Sequence, residues 1–305
     1  DHNWHGIQSG WDIKRMLGTV PVEEDGSVIF KAPANTPISI QPLDKDGVAI
    51  QWMRSWVTGQ PGEVVSCIGC HEDQNQIAIP KRVIASQKAP SALTLPEGGT
   101  RSFTFDLEVQ PILDRACIAC HNGEGKAFDL RGGKKDKLGY GTSYLNLHPY
   151  VHRQGGEGDM VVLQPYEYHP NTSELVRLLK KGHHNVKLTD KEWKTLYNWI
   201  DYNAPDKGYF NANVLTDLPY KGFDQIKRRK ELTDKYANGA GVDWKKEIAD
   251  YADYLKKQGP ITPVMPEKAA PVKEKTLKVK GWPFGADRIK EMLAKEKETR
   301  KVVEI

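Results

Sequence analysis

The stretch from Val109 to His121 reads VQPILDRACIACH and ends in a Cys-x-x-Cys-His pattern. A second copy of this pattern, CIGCH, runs from Cys67 to His71. In c-type haem attachment two thiols about one helical turn apart hold the porphyrin, and the histidine that follows is placed to ligate the iron. The sequence therefore predicts two covalently attached haem c groups. The predicted attachment residues are Cys67, Cys70 and His71 for the first haem and Cys117, Cys120 and His121 for the second.

Three other uses of paired cysteines fit these motifs less well. Zinc ribbons separate their two Cys-x-x-Cys pairs by roughly 15 to 20 residues, whereas 46 residues lie between Cys70 and Cys117. A thiol redox site needs one Cys-x-x-Cys pair in a βαβ unit and no histidine after it. The haem assignment uses all four cysteines of the 305-residue chain, so it leaves none for a disulfide.

The second axial ligand of each iron must come from elsewhere in the chain. His183 and His184 directly precede a well-marked helix, and imidazole is a common haem ligand. We favour His183 as the ligand of the second haem, with His184 as the alternate and a solvated loop pair as the competing interpretation. The first haem has either an open position or one of four candidate ligands, which are His5, Met53, His148 and His152.

Residues 18–57 contain short β-type runs separated by turn signals. Asp25-Gly26 and Asp46-Gly47 each lie between two such runs, which is a strong local indication of a hairpin. We therefore expect a small antiparallel β-sandwich-like module that leads into the first motif. A Pro- and Gly-rich stretch over residues 76–100 predicts a linker, and a strand is expected over residues 102–107.

Helical patterns follow the linker. They cover residues 109–113, 173–180 and 191–200. The last of these has the clearest start, because Thr189 and Glu192 have the spacing of a capping box. Its apolar stripe, which predicts core packing, is formed by Trp193, Leu196, Tyr197 and Ile200.

These patterns predict an α+β fold. A β-rich module over residues 1–95 carries the first motif, and a mainly α-helical, cytochrome c-like module over residues 96–216 carries the second. Residues 217–305 are expected to form a charged helical tail that contains a linker rich in Pro, Lys and Glu, from 258 to 280.

Charge and hydropathy exclude two classes of function. The net charge is +4, and residues 221–305, with 21 basic and 14 acidic side chains, hold an excess too dilute for a nucleic-acid face. The mean hydropathy is −0.61, and no apolar run approaches the ~18 residues of a membrane span. We therefore expect neither nucleic-acid binding nor membrane spanning. Because covalent haem attachment takes place outside the cytoplasm, an extracytoplasmic location is expected.

Several blocks of the sequence resemble the hydrazine synthase alpha subunit, in its middle domain, and related planctomycete proteins. The similar blocks are residues 17–27 (LGTVPVEEDGS), 32–37, 53–56 (MRSW), 66–72 (SCIGCHE), 109–115, 181–188 (KGHHNVKL) and 199–205. The resemblance spans roughly residues 11–210. It implies a two-haem module whose second haem has His121 and His183 as axial ligands, placed in a periplasmic or anammoxosome-like compartment.

The chain departs from this family at one informative position. In hydrazine synthase a tyrosine four residues after the first motif histidine ligates the iron, and the histidine turns toward a zinc ion. Here that position is Asn75. An amide is a poor substitute for a phenolate ligand, so the departure favours ordinary ligation of the first iron by His71.

Two functions from different classes follow from these observations. The first is electron transfer between protein partners, within a larger multisubunit complex or outside one, and it needs only the two haem motifs. The second is a haem-dependent oxidoreductase, in which an open first haem acts on a small nitrogen compound or peroxide and the second haem relays electrons. An iron with both axial positions filled by protein passes electrons, whereas an open one binds small molecules. We favour electron transfer.

Overall fold

Two short strands join the N-terminal region to the chain that precedes the second motif. In the computed structural model, β1 (Arg15–Met16) pairs antiparallel with β2 (Arg101–Ser102), with Arg15 opposite Ser102. The structure describes residues 13–51, 53, 55–69, 82–125, 127–137, 139–152, 164–167, 170–208, 225–236 and 242–267. The described residues up to 267 belong to one compact unit.

The remaining regular structure of the described part is helical. Its α-helices are α1 (Phe105–Glu108), α2 (Gln110–Ala116), α3 (Thr142–Leu147), α4 (Glu174–Lys181), α5 (Asp190–Asp201), α6 (Gln225–Tyr236) and α7 (Trp244–Lys257). Single 3-10 turns lie at Ala85–Gln87, His148–Tyr150, Pro170–Thr172 and His183–Asn185. Within the described ranges, no helix combines the length and apolar character needed to cross a lipid bilayer.

The predicted helices before and after the second motif are confirmed as α2, α4 and α5. The capping box of α5 is present: the Glu192 N–H donates to the Thr189 hydroxyl, and the Thr189 N–H donates to the Glu192 carboxylate at 2.7 Å. The strand expected over residues 102–107 is wrong beyond Ser102. The strand ends at Ser102, and although Thr104 still has extended backbone, a helical turn with two acidic residues, α1, begins at Phe105.

The N-terminal region contains turns and single bridges in its described part. A hairpin turn at Asp46-Gly47 is confirmed, since Leu43 pairs with Ala49 and the Gly47 N–H donates to the Asp44 carbonyl at 3.0 Å. Ile38 pairs with Val57 in the same antiparallel sense. The β-sandwich and the module boundaries at 95 and 216 stay predictions.

Aromatic side chains from three helices form the centre of the core. Phe105, Tyr144 and Trp199 are fully buried, and the ring centre of Phe105 lies 5.3 Å from each of the other two. The predicted stripe of α5 is confirmed, because Leu196, Tyr197 and Ile200 are buried and Trp193 packs against the same cluster. The half-buried Cys117 also packs against it, so the second motif rests directly on the core.

The carboxylate of Asp201, at the end of α5, holds the N-terminal region. It is buried and accepts the Ala49 N–H at 3.0 Å, while its own carbonyl accepts a hydrogen bond from the Gln41 amide at 3.3 Å. Each of these two hydrogen bonds satisfies a polar group that is shielded from water. Residues 41–49 are therefore fixed to the C-terminal end of α5.

A buried ion pair attaches α7 to the same body. Arg101 donates two hydrogen bonds to Glu108, at 2.6 and 3.0 Å, and its guanidinium lies 3.4 Å from the ring centre of Tyr251 on α7. The Tyr251 hydroxyl donates to Glu108 at 3.0 Å. At the start of α7, Glu247 accepts from Arg15 on β1 at 2.8 Å. These contacts anchor α7 at two points.

We expect Asp206 to make the stability of the protein depend on pH. Its side chain is 5% exposed, and burial raises its pKa to about 6, although Lys207 opposes the shift. Because the folded-state pKa lies above the ordinary value, the contribution of Asp206 to the free energy of unfolding decreases as pH rises from about 4 to 6 and is constant above that. Asp206→Asn should therefore stabilise the protein at pH 7 by on the order of 2 kcal/mol.

Urea unfolding at pH 4 and pH 7 measures this effect. The variant and the parent should be closest in stability at pH 4 and differ most at pH 7. Asp250→Asn, which changes an exposed carboxylate on α7, is the control and should show no such difference. Parallel pH profiles for Asp206→Asn and the parent would contradict the assignment.

Candidate haem site

The second motif continues α2 as one further helical turn. The Cys117 N–H donates to the Leu113 carbonyl at 2.8 Å, and the His121 N–H donates to the Cys117 carbonyl at 2.9 Å. Cys117 is half-buried and Cys120 is exposed. The turn therefore presents two thiols and an imidazole together, with one thiol against the core and the other at the surface.

The ring of His121 is oriented by the chain that follows it. Its Nδ1 lies 3.1 Å from the Phe128 carbonyl oxygen, and the Phe128 ring lies 4.7 Å from the imidazole, centre to centre. A carbonyl oxygen can only accept, so Nδ1 carries the hydrogen and Nε2 keeps its lone pair. Histidines that ligate metals are held in this way by their second nitrogen.

The ring of His183 lies close to that of His121. The two ring centres are 6.1 Å apart, with 36° between the ring planes. His183 is half-buried, whereas His184 is exposed and lies edge-on to His183. Burial, and next to it the neighbouring His184, lower the pKa of His183. The fold thus favours the neutral form of His183, which is the form that binds metals.

Left-handed backbone places His183 in this position. Gly182 ends α4 with φ of 100°, and His184 and Asn185 follow with φ of 44° and 62°. Glycine adopts this region without strain, and asparagine tolerates it better than most residues. The chain therefore turns sharply directly after α4, and His183 is held at the start of that turn.

An ion pair joins this turn to the second motif. Arg115, in the last turn of α2, makes a bidentate contact with Glu192, the capping-box residue of α5. Its Nη2 also donates to the Lys187 carbonyl at 3.1 Å. Arg115 lies two residues before Cys117, and Lys187 lies four after His183. The Arg115 side chain therefore connects the segment that carries His121 to the segment that carries His183.

The separation of the two rings fits one iron between them. An imidazole–metal bond is about 2 Å long, so two imidazoles that bind one metal from opposite sides have ring centres roughly 6 Å apart. The observed 6.1 Å matches this requirement. Among the described residues, no group of three or more His, Cys, Asp or Glu side chains is gathered as a cation site.

The thiol of Cys117 is protonated at neutral pH when it is not bonded to a porphyrin. Burial raises its pKa to about 12. Thiol exchange proceeds through the thiolate, so a thiol with this pKa is a poor redox nucleophile. This argues against a thiol redox role for the second motif.

Only part of the first motif falls among the described residues. Cys67 is exposed, and Cys70, His71 and Asn75 lie outside the described part of the chain, as does the candidate ligand His5. Apolar side chains beside Cys67 are exposed too, with Val64 at 89% and Ile68 at 57%. The assignment of the first haem therefore stays a prediction.

The other candidate ligands for the first iron lie in separate places. His148 lies next to Tyr144 of the core, with ring centres 5.6 Å apart. His152 contacts the Thr172 hydroxyl through Nδ1 at 3.0 Å. The Met53 sulfur lies 3.4 Å from the Ile40 backbone nitrogen. None of these contacts decides among the candidates.

Sequence reasoning missed two residues of this site. It did not single out Phe128, which orients His121, because a lone phenylalanine in a Gly- and Lys-rich stretch carries no periodic signal. Arg115 carries no signal of its own in the sequence beyond its place in the block of residues 109–115 that resembles the family. Its distance of 77 residues from Glu192 hides their pairing.

Comparison with known proteins gives one match. Residues 2–72 match the family described as hydrazine synthase alpha subunit middle domain. No curated protein and no solved structure matches the chain. The matched segment ends at the first Cys-x-x-Cys-His motif, and it supports a relationship of this chain to hydrazine synthase alpha subunits.

Proposed function

We propose that the chain is a di-haem c-type cytochrome that transfers electrons. The second haem is held by Cys117 and Cys120 through thioether bonds and by His121 and His183 as axial ligands. The observation that carries this proposal is the 6.1 Å separation of the two imidazole rings beside a Cys-x-x-Cys-His turn. The first haem is assigned by its motif to Cys67, Cys70 and His71.

The residues around the second site perform the binding and the positioning. Phe128 orients His121 through its carbonyl, and Arg115 with Glu192 holds the turn that carries His183. If His121 and His183 both ligate the iron of a bound haem, substrates would have no access to that metal. The haem itself supplies a one-electron couple.

The arrangement favours haem over zinc at this motif. A structural zinc site is a closed tetrahedral set of four ligands. Here the described residues bring two imidazole ring centres to within 6.1 Å of each other, a separation that matches two ligands on opposite sides of one iron. Exposure of Cys120 suits a thioether at the rim of a porphyrin, whereas a closed zinc site would surround both thiolates.

A protein partner is part of this proposal. Lys180, Lys181 and Lys187 are exposed on the segments that flank His183 and His184. Their charge would attract an acidic surface and would speed association at low salt. The family match further suggests a subunit of a multisubunit complex. An extracytoplasmic compartment is proposed because covalent haem attachment takes place outside the cytoplasm.

The family match also favours a second candidate function. It covers the segment that ends at the first motif, and hydrazine synthases act on small nitrogen compounds. In this alternative the first haem is an open reaction site and the second haem is its electron relay. Asn75, in the position of the family's tyrosine ligand, opposes it.

Mass spectrometry and spectroscopy of the purified chain test the proposal. We expect a mass increase of two haems and low-spin spectra that carbon monoxide does not change. Cys117→Ser with Cys120→Ser should remove one haem, and Cys67→Ser with Cys70→Ser should remove the other. Bound zinc without haem would overturn the proposal, and carbon monoxide binding by half of the haem in the parent would select the enzyme alternative.

A further inference from the structure

The segment that follows α7, residues 259–267, contacts both parts of the second haem site. These parts are the helix that leads into the second motif and the turn that carries His183. We call this segment the strap. Its sequence is GPITPVMPE, a composition that predicts a linker, and it has neither helix nor strand. It begins at a fixed point, because α7 is held by the buried Tyr251–Glu108 contact and ends at Lys257, two residues before Gly259, whose φ is 90°. Its path is therefore determined from its first residue.

One contact joins the strap to the motif helix. The Val264 N–H donates to the Arg115 carbonyl at 2.7 Å. This carbonyl lies in the last turn of α2, where backbone oxygens lack partners within the helix. Ile261 and Pro263 of the strap, together with Ile118 between the two cysteines, line a cavity of about 520 Å³. The strap therefore runs beside the Cys-x-x-Cys turn.

A second contact joins the strap to the turn that carries His183. The side-chain amide of Asn185 donates to the Glu267 carbonyl at 3.3 Å. Asn185 lies two residues after His183, and Arg115 lies two residues before Cys117. The strap therefore makes hydrogen bonds to both of the segments that carry the neighbouring imidazoles of His121 and His183. The two bonds lie three residues apart in the strap.

We propose that the strap positions His183 opposite His121 and thereby sets how firmly the second iron is closed to outside ligands. This inference rests on the proposed function, since it concerns the same site. Val264 and Asn185 are its positioning residues, because they act through hydrogen bonds and neither needs to touch the haem. For the turn that carries His183 to move away from the iron, the Asn185 contact must break. For the helix that carries the second motif to move, the Val264 contact must break.

Two substitutions remove these bonds with little other change. Val264→Pro removes the donating N–H in an extended segment that already contains three prolines. Asn185→Gly removes the side-chain amide and tolerates the φ of 62°. Met265→Pro is the matched control, because it places a proline one residue further on without touching the Val264 N–H.

The test measures carbon monoxide binding by the reduced, haem-loaded full chain, together with its low-spin spectrum and its reduction potential. Loss of a typical hydrogen bond should raise the population of the form in which His183 is detached from the second iron about fivefold. We therefore expect each single variant to bind carbon monoxide at the second haem about fivefold faster than the parent, and the double variant faster still. Met265→Pro should match the parent, and far-UV circular dichroism should be the same for all.

The outcomes separate this inference from the proposed function. A parent with low-spin bis-histidine ligation, and a double variant with the same binding rate, spectrum and potential, would overturn the strap proposal and leave electron transfer intact. A Met265→Pro variant that opens as readily as Val264→Pro would also overturn it. A parent without bis-histidine ligation would overturn both.

Discussion

Replacing His183 by alanine is expected to convert one haem per chain from low-spin to high-spin and to add one carbon monoxide binding site per chain. The reason is geometric, since His183 is the half-buried imidazole whose ring centre lies 6.1 Å from that of His121. Its lowered pKa keeps it neutral and able to ligate. Carbon monoxide titration of the reduced protein, followed in the visible spectrum, counts the new site.

His184→Ala is the matched control for this prediction. His184 is exposed and adjacent to His183 in the chain, so its removal should leave both the low-spin spectrum and the carbon monoxide stoichiometry of the parent. A high-spin His184→Ala variant beside a low-spin His183→Ala variant would exchange the roles of the two residues. Two unchanged variants would mean that the sixth ligand comes from elsewhere.

Replacing Trp199 by alanine is expected to destabilise the protein by about 3–5 kcal/mol, the usual range for a large side chain removed from a core. Trp199 is fully buried between Phe105 and Tyr144. Its indole N–H donates to the Pro205 carbonyl at 3.0 Å, and that carbonyl would lose its partner. Since whole domains are stable by about 5–15 kcal/mol, the loss is a large share of the total.

Urea unfolding of the haem-loaded protein measures this loss, and Trp199→Phe divides it into two parts. Phenylalanine keeps most of the ring packing and removes the N–H, so it should cost about 1–3 kcal/mol. A Trp199→Ala variant within 1 kcal/mol of the parent is incompatible with a central role for this side chain. Trp56, which is 62% exposed, gives a control at which alanine should change little.

Local signals predicted the elements that carry the second site. The capping box at Thr189 and Glu192 depends on residues three apart, so the start of α5 and the place of His183 before it are readable from the sequence. Apolar spacing likewise predicted α2 and α4. Helix α3 was not predicted, because glycines and lysines surround it in the sequence. The burial of Trp199 was not predicted either, because Trp199 lies beside the apolar stripe that the helical spacing of α5 indicates.

Long-range contacts explain what the sequence could not show. The bond between the Val264 N–H and the Arg115 carbonyl uses backbone groups that almost every residue has, so no residue pattern marks it. The composition of residues 258–280 predicts a linker, and residues 259–267 do lack helix and strand, yet they are bonded to the site. Similarly, the sequence separation of 152 positions between Ala49 and Asp201 conceals that contact.

The double attachment of α5 sets a limit on how this chain can vary in length. The helix has 12 residues and is therefore about 18 Å long, with Glu192 tied to Arg115 near its start and Asp201 tied to Ala49 at its end. Inserting one residue in its middle would rotate Asp201 by about 100° relative to Glu192, and at most one attachment would survive. Related chains should therefore conserve the length of α5.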